Sequence, residues 1–186
     1  MVSYRQFSIN EHMHDFAAGL SNSGIEFFDE SVAFCTITKA DLPILKQIYA
    51  STREAELSMT GWTDEQKQQF IDHQFNAQHQ HYQQHYADAD FMLLKAGKNV
   101  LGRLYLQCKK KQLCLIDITL LPAFRQQKLG QQILTWILNY AQKTAITVTL
   151  HVENHNPAYQ WYLNNGFINY EDRGVYQYLE WHPNAT

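Results

Sequence analysis

The 186-residue sequence has little of what would tie it to an oxidising compartment, a nucleic acid or a membrane. Its three cysteines are odd in number and show no CxxC spacing, which favours reduced thiols in a cytoplasm over a disulfide framework. A formal net charge of −3 argues against a surface that binds nucleic acid. No apolar run approaches the ~18 residues of a membrane span, and the first residues show no signal-peptide pattern. We therefore predict a cytoplasmic protein without nucleic-acid or membrane partners.

What the sequence does contain is a succession of strand and helix patterns suited to one domain. Residues 1–31 do not resolve into clear elements and are set apart as an N-terminal extension, while residues 32–186 are expected to form a single domain. β-Branched and aromatic runs predict strands, and apolar residues at helical spacing predict helices. The predicted strands cover 32–38, 91–95, 100–107, 113–121, 146–152 and 174–181, and the predicted helices cover 41–57, 63–86, 129–142 and 157–165.

The order of these patterns predicts a mixed α/β fold. The three strands between 91 and 121 are joined by the short turns "AGKN" and "CKKKQ", as in an antiparallel meander. The strand at 113–121, the next helix and the strand at 146–152 make a crossover, so these two strands are expected to be parallel. We predict a mostly antiparallel central sheet with this one parallel crossover. Cap signals mark the helix starts at Asp41, at Thr63 with Gln66, and at Asn156.

The turn "LLPAFRQQKLG" at 120–130 lies where the crossover helix begins. The N-terminus of a helix at the carboxyl end of a strand can bind an anion, and glycines usually let the ligand come close. Only Gly130 is present here, whereas Arg125 and Lys128 supply positive charge for a phosphate. Pro122 cannot donate to a sheet ladder, so strand pairing should stop there. These residues alone fit an anion site and a plain crossover turn equally well.

A second stretch, "NPAYQWYLNNGF" at 156–167, changes that balance. Together the two stretches resemble the motifs of the GNAT superfamily of acyl-CoA-dependent N-acyltransferases. The first motif reads roughly Val-x-Pro-x-Tyr-Arg-Gly-x-Gly-x-Gly, with Leu120 in place of the valine, and the second ends in Leu-Tyr-x-x-x-Gly-Phe. The resemblance covers about 32–182 and is most specific over 113–167. It implies a GNAT-like fold and acetyl-CoA-dependent acetyl transfer to a primary amine by direct attack in a ternary complex, without a metal.

The resemblance also assigns a coenzyme A site. In the family a backbone N–H of the central strand holds the thioester carbonyl, and glycines occupy the positions of Gln126 and Lys128. Gln126 should cost little if its φ is negative, whereas a Cβ at Lys128 could crowd the pyrophosphate, although its ammonium could also meet a phosphate. The implied cofactor-binding residues are Leu120, Arg125, Gln126, Gln127, Lys128, Leu129, Gly130, Gln131, Asn156 and Tyr162.

Two residues are the candidates for catalysis. Tyr162 matches the tyrosine that the family places beside the coenzyme sulfur as general acid, and its other interpretation is a core tyrosine. Asp117 stands inside an apolar strand, where a carboxylate is either a general base facing a cleft or structurally paired. Strict alternation puts it on the face of Leu115 and Thr119, opposite Leu120.

The amine site is expected at the first two helices and their loop. Candidate acceptor-binding residues there are Glu54, Glu56, Trp62 and Phe75; the glutamates are further candidates for the base, and the aromatics can equally be core. The acceptor, a small molecule or a peptide or protein amine, is expected to be polar and cationic. The alternative function is a non-catalytic acyl-CoA-binding or interaction module on the same fold, and a homodimer is a further hypothesis. His81 and His85 share a helix face without a third ligand of matching spacing, so no metal site is predicted.

Overall fold

The computed structural model describes residues 19, 20 and 22–184, and one mixed sheet runs through all of this part. Its eight described strands lie in the order β1-β2-β3-β4-β5-β6-β8-β7. All neighbours are antiparallel except β5 and β6, which are parallel, so the predicted fold class is confirmed. The strands are β1 Glu26–Phe27, β2 Glu30–Thr36, β3 Asp90–Ala96, β4 Asn99–Lys109, β5 Gln112–Leu120, β6 Thr147–Glu153, β7 Ile168–Arg173 and β8 Tyr176–Trp181.

Four helices cover the two faces of this sheet in the described part of the chain. Leu104 and Leu106 of β4 lie in one hydrophobic cluster with α3 and α4, whereas Tyr105 between them lies in a second cluster with α1 and α2. Successive strand side chains point to opposite faces, so β4 serves both layers. None of these helices is both long and apolar enough to cross a bilayer. The helices are α1 Leu42–Ser58, α2 Asp64–His85, α3 Leu129–Thr144 and α4 Ala158–Asn164.

Every predicted strand and helix is found, with ends shifted by no more than two residues. Strands β1 and β7 were not predicted. All six side chains of β7 are exposed, so this edge strand lacks the apolar alternation that marks a half-buried one. The sheet also begins before residue 32, because β1 pairs with β2, and Ile25 and Phe27 are buried in the core cluster beneath α3.

Side-chain cap bonds form at two of the three predicted helix starts. Thr63 Oγ1 accepts the Gln66 N–H at 3.3 Å, and Gln66 Oε1 accepts the Thr63 N–H at 2.9 Å, which confirms the capping box. Asn156 Oδ1 accepts the N–H of Ala158, the first residue of α4, at 2.9 Å. Asp41 occupies the N-cap position of α1 as predicted, but its carboxylate makes no cap bond to the helix. It accepts instead from the N–H and Oγ1 of Thr38, both at 2.8 Å, and closes a 3-10 turn ahead of α1.

Strands β5 and β6 stop pairing near their middle and separate. Their parallel pairs run from Gln112–Thr147 to Leu115–Leu150, and β5 then continues to Leu120 alongside β4. A cleft therefore opens between β5 and β6 towards the carboxyl end of β5. The turn at 120–130 lies at that end, where α3 begins.

A β-bulge lies where the two strands separate. Tyr105 of β4 pairs with Asp117, but Leu106 pairs with Leu115, so Ile116 is an extra residue in β5. The extra residue puts Leu115 and Asp117 on opposite faces. The prediction that they share a face is therefore wrong, because alternation holds only while the ladder is regular.

Candidate active site

The turn before α3 adopts glycine-like backbone angles at two side-chain-bearing residues. Gln126 has φ +58° and Lys128 has φ +65°, both in the left-handed region, and they stand where the family has glycine. A side chain at Gln126 was expected to cost little only if its φ were negative, but its φ is positive. Left-handed geometry costs an L-residue roughly 1–2 kcal/mol, so this turn keeps a glycine conformation in strained form.

The same turn leaves space beside the start of α3. The side chains of Gln126, Gln127 and Lys128 are exposed, and the first-turn N–H groups of a helix lack intrahelical partners. A Cβ built on Gly130 would meet only Leu120 Cδ1, at 3.9 Å. An anionic group therefore has both donors and room at this position, together with the positive end of the helix dipole.

The other predicted coenzyme residues are held by bonds within the protein. Gln127 Nε2 donates to Ala123 O at 2.7 Å. Gln131 links α3 to α4, because its Nε2 donates to Asn165 Oδ1 at 2.7 Å and its Oε1 accepts from Trp161 Nε1 at 2.8 Å. These residues shape the site through contacts with neighbouring protein groups.

Arg125 also points towards the protein. Its Nε donates to Leu120 O at 2.7 Å, and its Nη2 donates to Ser51 O at 3.2 Å and to Ser51 Oγ at 2.9 Å. The sequence suggested a cation for a phosphate at this position. The structure shows instead a hydrogen-bonded bridge between the end of β5 and helix α1, which we name the Arg125–Ser51 bridge.

Tyr162 lies on α4 inside the core and is 7% exposed. Its ring packs edge-on against Phe167 at 5.4 Å between centroids. Burial, and then the negative charge of Asp117, raise the pKa of the Tyr162 phenol well above its usual value. The side chain is therefore protonated across the physiological pH range, as a proton donor must be.

Asp117 is fully engaged in a buried ion pair. Its Oδ2 accepts from Arg103 Nη2 at 2.7 Å, and its Oδ1 accepts from Thr119 Oγ1 at 2.7 Å. Arg103 is only 2% exposed and also donates to Gln78 Oε1 of α2 at 3.0 Å. A buried guanidinium left without its counter-ion is strongly destabilising, so these contacts favour the paired interpretation of Asp117 over that of a base.

Two cavities flank α1 on the α1–α2 face of the sheet. The first, about 470 Å³, is named the Glu54 cavity and is bounded by α1, α2 and the residues that follow β5. The second, about 580 Å³, is named the His151 cavity and lies where β5 and β6 separate. Its lining includes Leu115 and the bulge residue Ile116. Further lining residues carry polar groups: Tyr49, Arg53, Gln74, Gln78, His81, Tyr82, Tyr86, Cys114, His151 and Tyr176.

The structure does not bring the four predicted acceptor residues together. Glu54 lines the cavity that bears its name. Glu56 is exposed and accepts from Arg53 at 3.1 Å. Trp62 packs edge-on against Phe70 and is 43% exposed, whereas Phe75 is 2% exposed in the core under α1. Phe75 thus has the core role that was its other interpretation.

His151 is a candidate site residue that the sequence did not single out. It lies on β6, next to Leu150, the last residue paired with β5, and lines the His151 cavity. Arg173 Nη1 approaches its Nε2 at 2.8 Å. Burial, and then the nearby Arg173 charge, lower the pKa of His151, so the imidazole is neutral near pH 7. A lone histidine within "ITVTLHV" carries no spacing signal.

Gly102 is a second residue that the sequence did not mark. A Cβ at this position of β4 would lie 2.9 Å from Leu120 Cα and would overlap Thr119 O. The backbones of β4 and β5 are therefore in close contact at the end of the cleft, which only glycine allows. Among residues 22–184, the histidines, cysteines and carboxylates form no group of three placed as metal ligands would be.

Parted parallel strands, an anion-accepting turn and a buried protonated tyrosine are the features expected of the N-acyltransferase class that the motifs indicated. A family model described as an acetyltransferase (GNAT) domain matches residues 59–185, which is more than half of the chain. The chain therefore belongs to the GNAT acetyltransferase family, and the resemblance drawn from the sequence is confirmed. A comparison with curated protein sequences found no match.

Solved structures of acetyltransferases share this fold at low sequence identity. The PaiA N-acetyltransferase of Thermoplasma acidophilum, crystallised with coenzyme A, aligns with a TM-score of 0.61 and 19% identity over 82% of this chain and 99% of its own. An acetyltransferase of Thermus thermophilus aligns with a TM-score of 0.58 and 17% identity, over 80% of this chain and 95% of its own. The ribosomal-protein-S18-alanine N-acetyltransferase of Escherichia coli aligns with a TM-score of 0.52 and 17% identity, over 83% of this chain and 96% of its own. At these identities the likeness shows the fold.

Proposed function

We propose that the protein is an acetyl-CoA-dependent N-acetyltransferase that acetylates a primary amine bound in the His151 cavity. The observation that carries the proposal is the separation of β5 and β6 after Leu115–Leu150. The turn at 125–130 lies at the end of the resulting cleft, and the His151 cavity lies where it starts. A donor and an acceptor can thus meet from opposite sides. Coenzyme A in the structure of the Thermoplasma acidophilum relative supports this choice of donor.

The residues of the turn fit a pyrophosphate. Space beside Gly130, the N–H groups of the first turn of α3 and the exposed Lys128 suit a doubly charged anion. Acetyl-CoA, when bound, supplies the activated thioester. Unpaired backbone groups of β5 beyond Leu115 are the candidates to orient its carbonyl, with Leu120 at the far end.

Tyr162 is proposed as the proton donor to the departing sulfur. The raised pKa keeps its phenol protonated at neutral pH. The same shift makes Tyr162 a weaker acid than a free tyrosine, so its proposed role is to donate a hydrogen bond to the sulfur as negative charge develops, and to pass the proton on as the thiolate leaves. The same burial that keeps the proton in place also fixes the ring, because Phe167 packs against it. Tyr162 is therefore a protonated and positioned donor, and its contribution depends on the charge that develops on the sulfur.

The amine must lose a proton, and His151 is the group we propose to accept it. His151 is neutral near pH 7 and lines the cavity, whereas both oxygens of Asp117 are engaged by Arg103 and Thr119. Arg173 is about half exposed, so its contact with His151 Nε2 can be exchanged for water when the proton arrives. Asp117 is proposed instead to pair with the buried Arg103, which in turn donates to Gln78 in the lining of the cavity.

The lining of the His151 cavity restricts the class of amine that we expect as acceptor. Among its described lining residues there are tyrosines, glutamines, histidines and Arg53, but no carboxylate. Arg53 itself is paired with Glu56 and with Glu153, at 3.1 and 3.5 Å. We therefore propose an acceptor that is polar but carries no positive charge besides its amine, because the cavity wall offers no carboxylate to pair with such a charge.

A non-catalytic acyl-CoA-binding module is the second candidate function. The observation that favours it is the turn itself, because Gln126 and Lys128 hold left-handed angles with side chains in place of glycine, and a Cβ at Lys128 can crowd the coenzyme pyrophosphate. The two candidates differ in turnover. Release of free thiol from acetyl-CoA in the presence of an amine panel supports the enzyme, and binding without thiol release supports the module.

Binding of the coenzyme is tested by thermal unfolding with acetyl-CoA. A ligand at 100 times its Kd adds ~2.7 kcal/mol to the free energy of unfolding. Gly130→Val should abolish the shift, because its side chain would occupy the space beside Leu120, where a Cβ meets only Leu120 Cδ1 at 3.9 Å. Gly61→Ala is the matched control, since a Cβ there meets nothing within 4 Å. An equal shift in the Gly130 variant contradicts the placement of the coenzyme.

A further inference from the structure

We propose that Arg125 is a positioning residue through which coenzyme A bound at the turn orders helix α1, the wall shared by both cavities. This inference rests on the proposed function, because it requires the coenzyme to occupy the turn at 125–130. It assigns to Arg125 a role between the two substrate sites, in place of direct contact with phosphate. It also makes binding of the coenzyme and organisation of the acceptor wall energetically coupled events.

The bridge joins three parts of the chain through one planar group. The guanidinium of Arg125 holds Leu120 O at the end of β5 through Nε, and both oxygens of Ser51 in α1 through Nη2. Ser51 Oγ in turn donates to Ile48 O at 2.8 Å, and Ile48 is fully buried. The contact therefore reaches the packed side of α1. Only the rigid fork of an arginine can serve acceptors in two directions in this way.

The bridge also shapes a cavity wall. Ser51 lines the Glu54 cavity together with Leu121 and Pro122, which follow directly after Leu120. The position of α1 relative to β5 thus depends on the conformation of the segment that carries Arg125. Two residues further along α1, Arg53 lines the His151 cavity. A shift of this part of the helix would change both cavities.

Strain in the turn provides the reason for coupling. Gln126 directly follows Arg125 and, like Lys128, is left-handed without being glycine. Such angles persist only when surrounding contacts impose them. Without ligand, the Arg125–Ser51 bridge is one of those contacts, and the turn can relieve its strain by breaking it. A coenzyme pyrophosphate that binds only the native turn favours the bridged state, and by linkage it also stabilises α1.

Hydrogen–deuterium exchange with coenzyme A as the probe tests this coupling. In the unaltered protein, saturating coenzyme A should slow exchange in two segments, the turn at 126–131 and the second half of α1 at 50–58, the latter at least about 5-fold, the lower end of ordinary coupling. Arg125→Gln should still bind coenzyme A by calorimetry, weakened only by about the coupling factor, and keep the slowing in the turn, but lose the slowing in α1. Comparing each variant with and without coenzyme removes any general change in stability.

Two further variants sharpen the test. Ser51→Ala removes one acceptor of the bridge and should reduce the α1 response. Thr52→Ala is the matched control, because Thr52 makes the same kind of back-bond, to Tyr49 O at 2.7 Å, and is exposed; its α1 response should remain. Arg125→Lys should behave like Arg125→Gln, since an ammonium cannot reproduce the fork.

Several outcomes would overturn the inference. An undiminished α1 response in Arg125→Gln means that the bridge carries no coupling, and loss of coenzyme binding in that variant means that Arg125 is a phosphate ligand. Coenzyme binding to the unaltered protein without any α1 response defeats this inference but leaves the proposed function standing. Failure of the unaltered protein to bind coenzyme A defeats the proposed function itself.

Discussion

Replacement of Lys128 separates the two things that this residue brings to the turn, its charge and its left-handed backbone. Lys128 has φ +65° and ψ −5°, at the N-cap position of α3. An L-residue in that conformation is disfavoured by roughly 1–2 kcal/mol, and glycine removes this cost but loses about 0.5–1 kcal/mol of its own to chain entropy. Lys128→Gly should therefore stabilise the protein by a net amount of up to about 1.5 kcal/mol. Lys128→Ala keeps the strained backbone and should change stability little.

Coenzyme binding to the same two variants reports on the charge. Both variants remove the ammonium, so both should bind coenzyme A more weakly than the unaltered protein at low salt, with the difference shrinking as salt screens the interaction. If the Cβ of Lys128 obstructs the pyrophosphate, Lys128→Gly should instead bind more tightly than Lys128→Ala. Urea unfolding and titration calorimetry at two salt concentrations measure both quantities on one preparation.

The control for this experiment is the residue beside it. Gln127 is equally exposed and lies outside the set of left-handed residues, so Gln127→Gly should destabilise the protein by about 0.5–1 kcal/mol. The reasoning is refuted if Lys128→Gly and Gln127→Gly shift the urea midpoint in the same direction. It is equally refuted if Lys128→Ala gains as much stability as Lys128→Gly, because alanine cannot relieve a left-handed backbone.

Four other changes have defined outcomes. Tyr162→Phe should lower kcat by ~10²–10⁴-fold while acetyl-CoA affinity and melting temperature hold; retained thiol release would leave water as the donor. Gly102→Ala should disrupt the end of β5 and reduce both the urea midpoint and coenzyme binding, because its Cβ would overlap Thr119 O; an unchanged midpoint contradicts this. Burial raises the pKa of Asp90 to about 6, above the unfolded value of 3.8, so stability present below pH 4 is lost as pH rises through 6. Asp90→Asn should thus be more stable than the unaltered protein at pH 7.5, by up to about 3 kcal/mol, but not at pH 4, as urea unfolding at both values will show. His151→Gln should remove the fall in kcat/KM that the unaltered enzyme shows on the acid side of the usual histidine pKa, and an intact acid limb in the variant would exclude His151 as the base.

The motifs of the turn and of α4 were readable because their signals are local. The capping box at Thr63 depends on a residue three positions away, and Gly166 has φ +87° directly after the C-cap of α4, as its place in "LNNG" predicts. The crossover from β5 through α3 to β6 follows from short connections and chain chirality. Such features need no knowledge of what packs against them.

The errors have a different origin. Asp117 was assigned to the face of Leu115 because alternation assumes an unbroken ladder, and the extra residue at Ile116 is a property of pairing with β4. The positive φ of Gln126 was not foreseen, because nothing in a glutamine side chain indicates a left-handed backbone. His151 and Gly102 went unmarked since their importance comes from what lies opposite them in space.

By itself, the sequence determined the element order, the parallel crossover, the GNAT motifs and the position of the turn before α3, because each is encoded within a few residues or in the order of segments. The tertiary structure alone decided that Arg103 neutralises Asp117, that Arg125 reaches Ser51 across 74 positions, and that His151 faces a cavity. These contacts join residues far apart in the chain. Their formation depends on how β5, β6 and the helices pack, and the free energy of that packing is a sum over the whole core that no single stretch reveals.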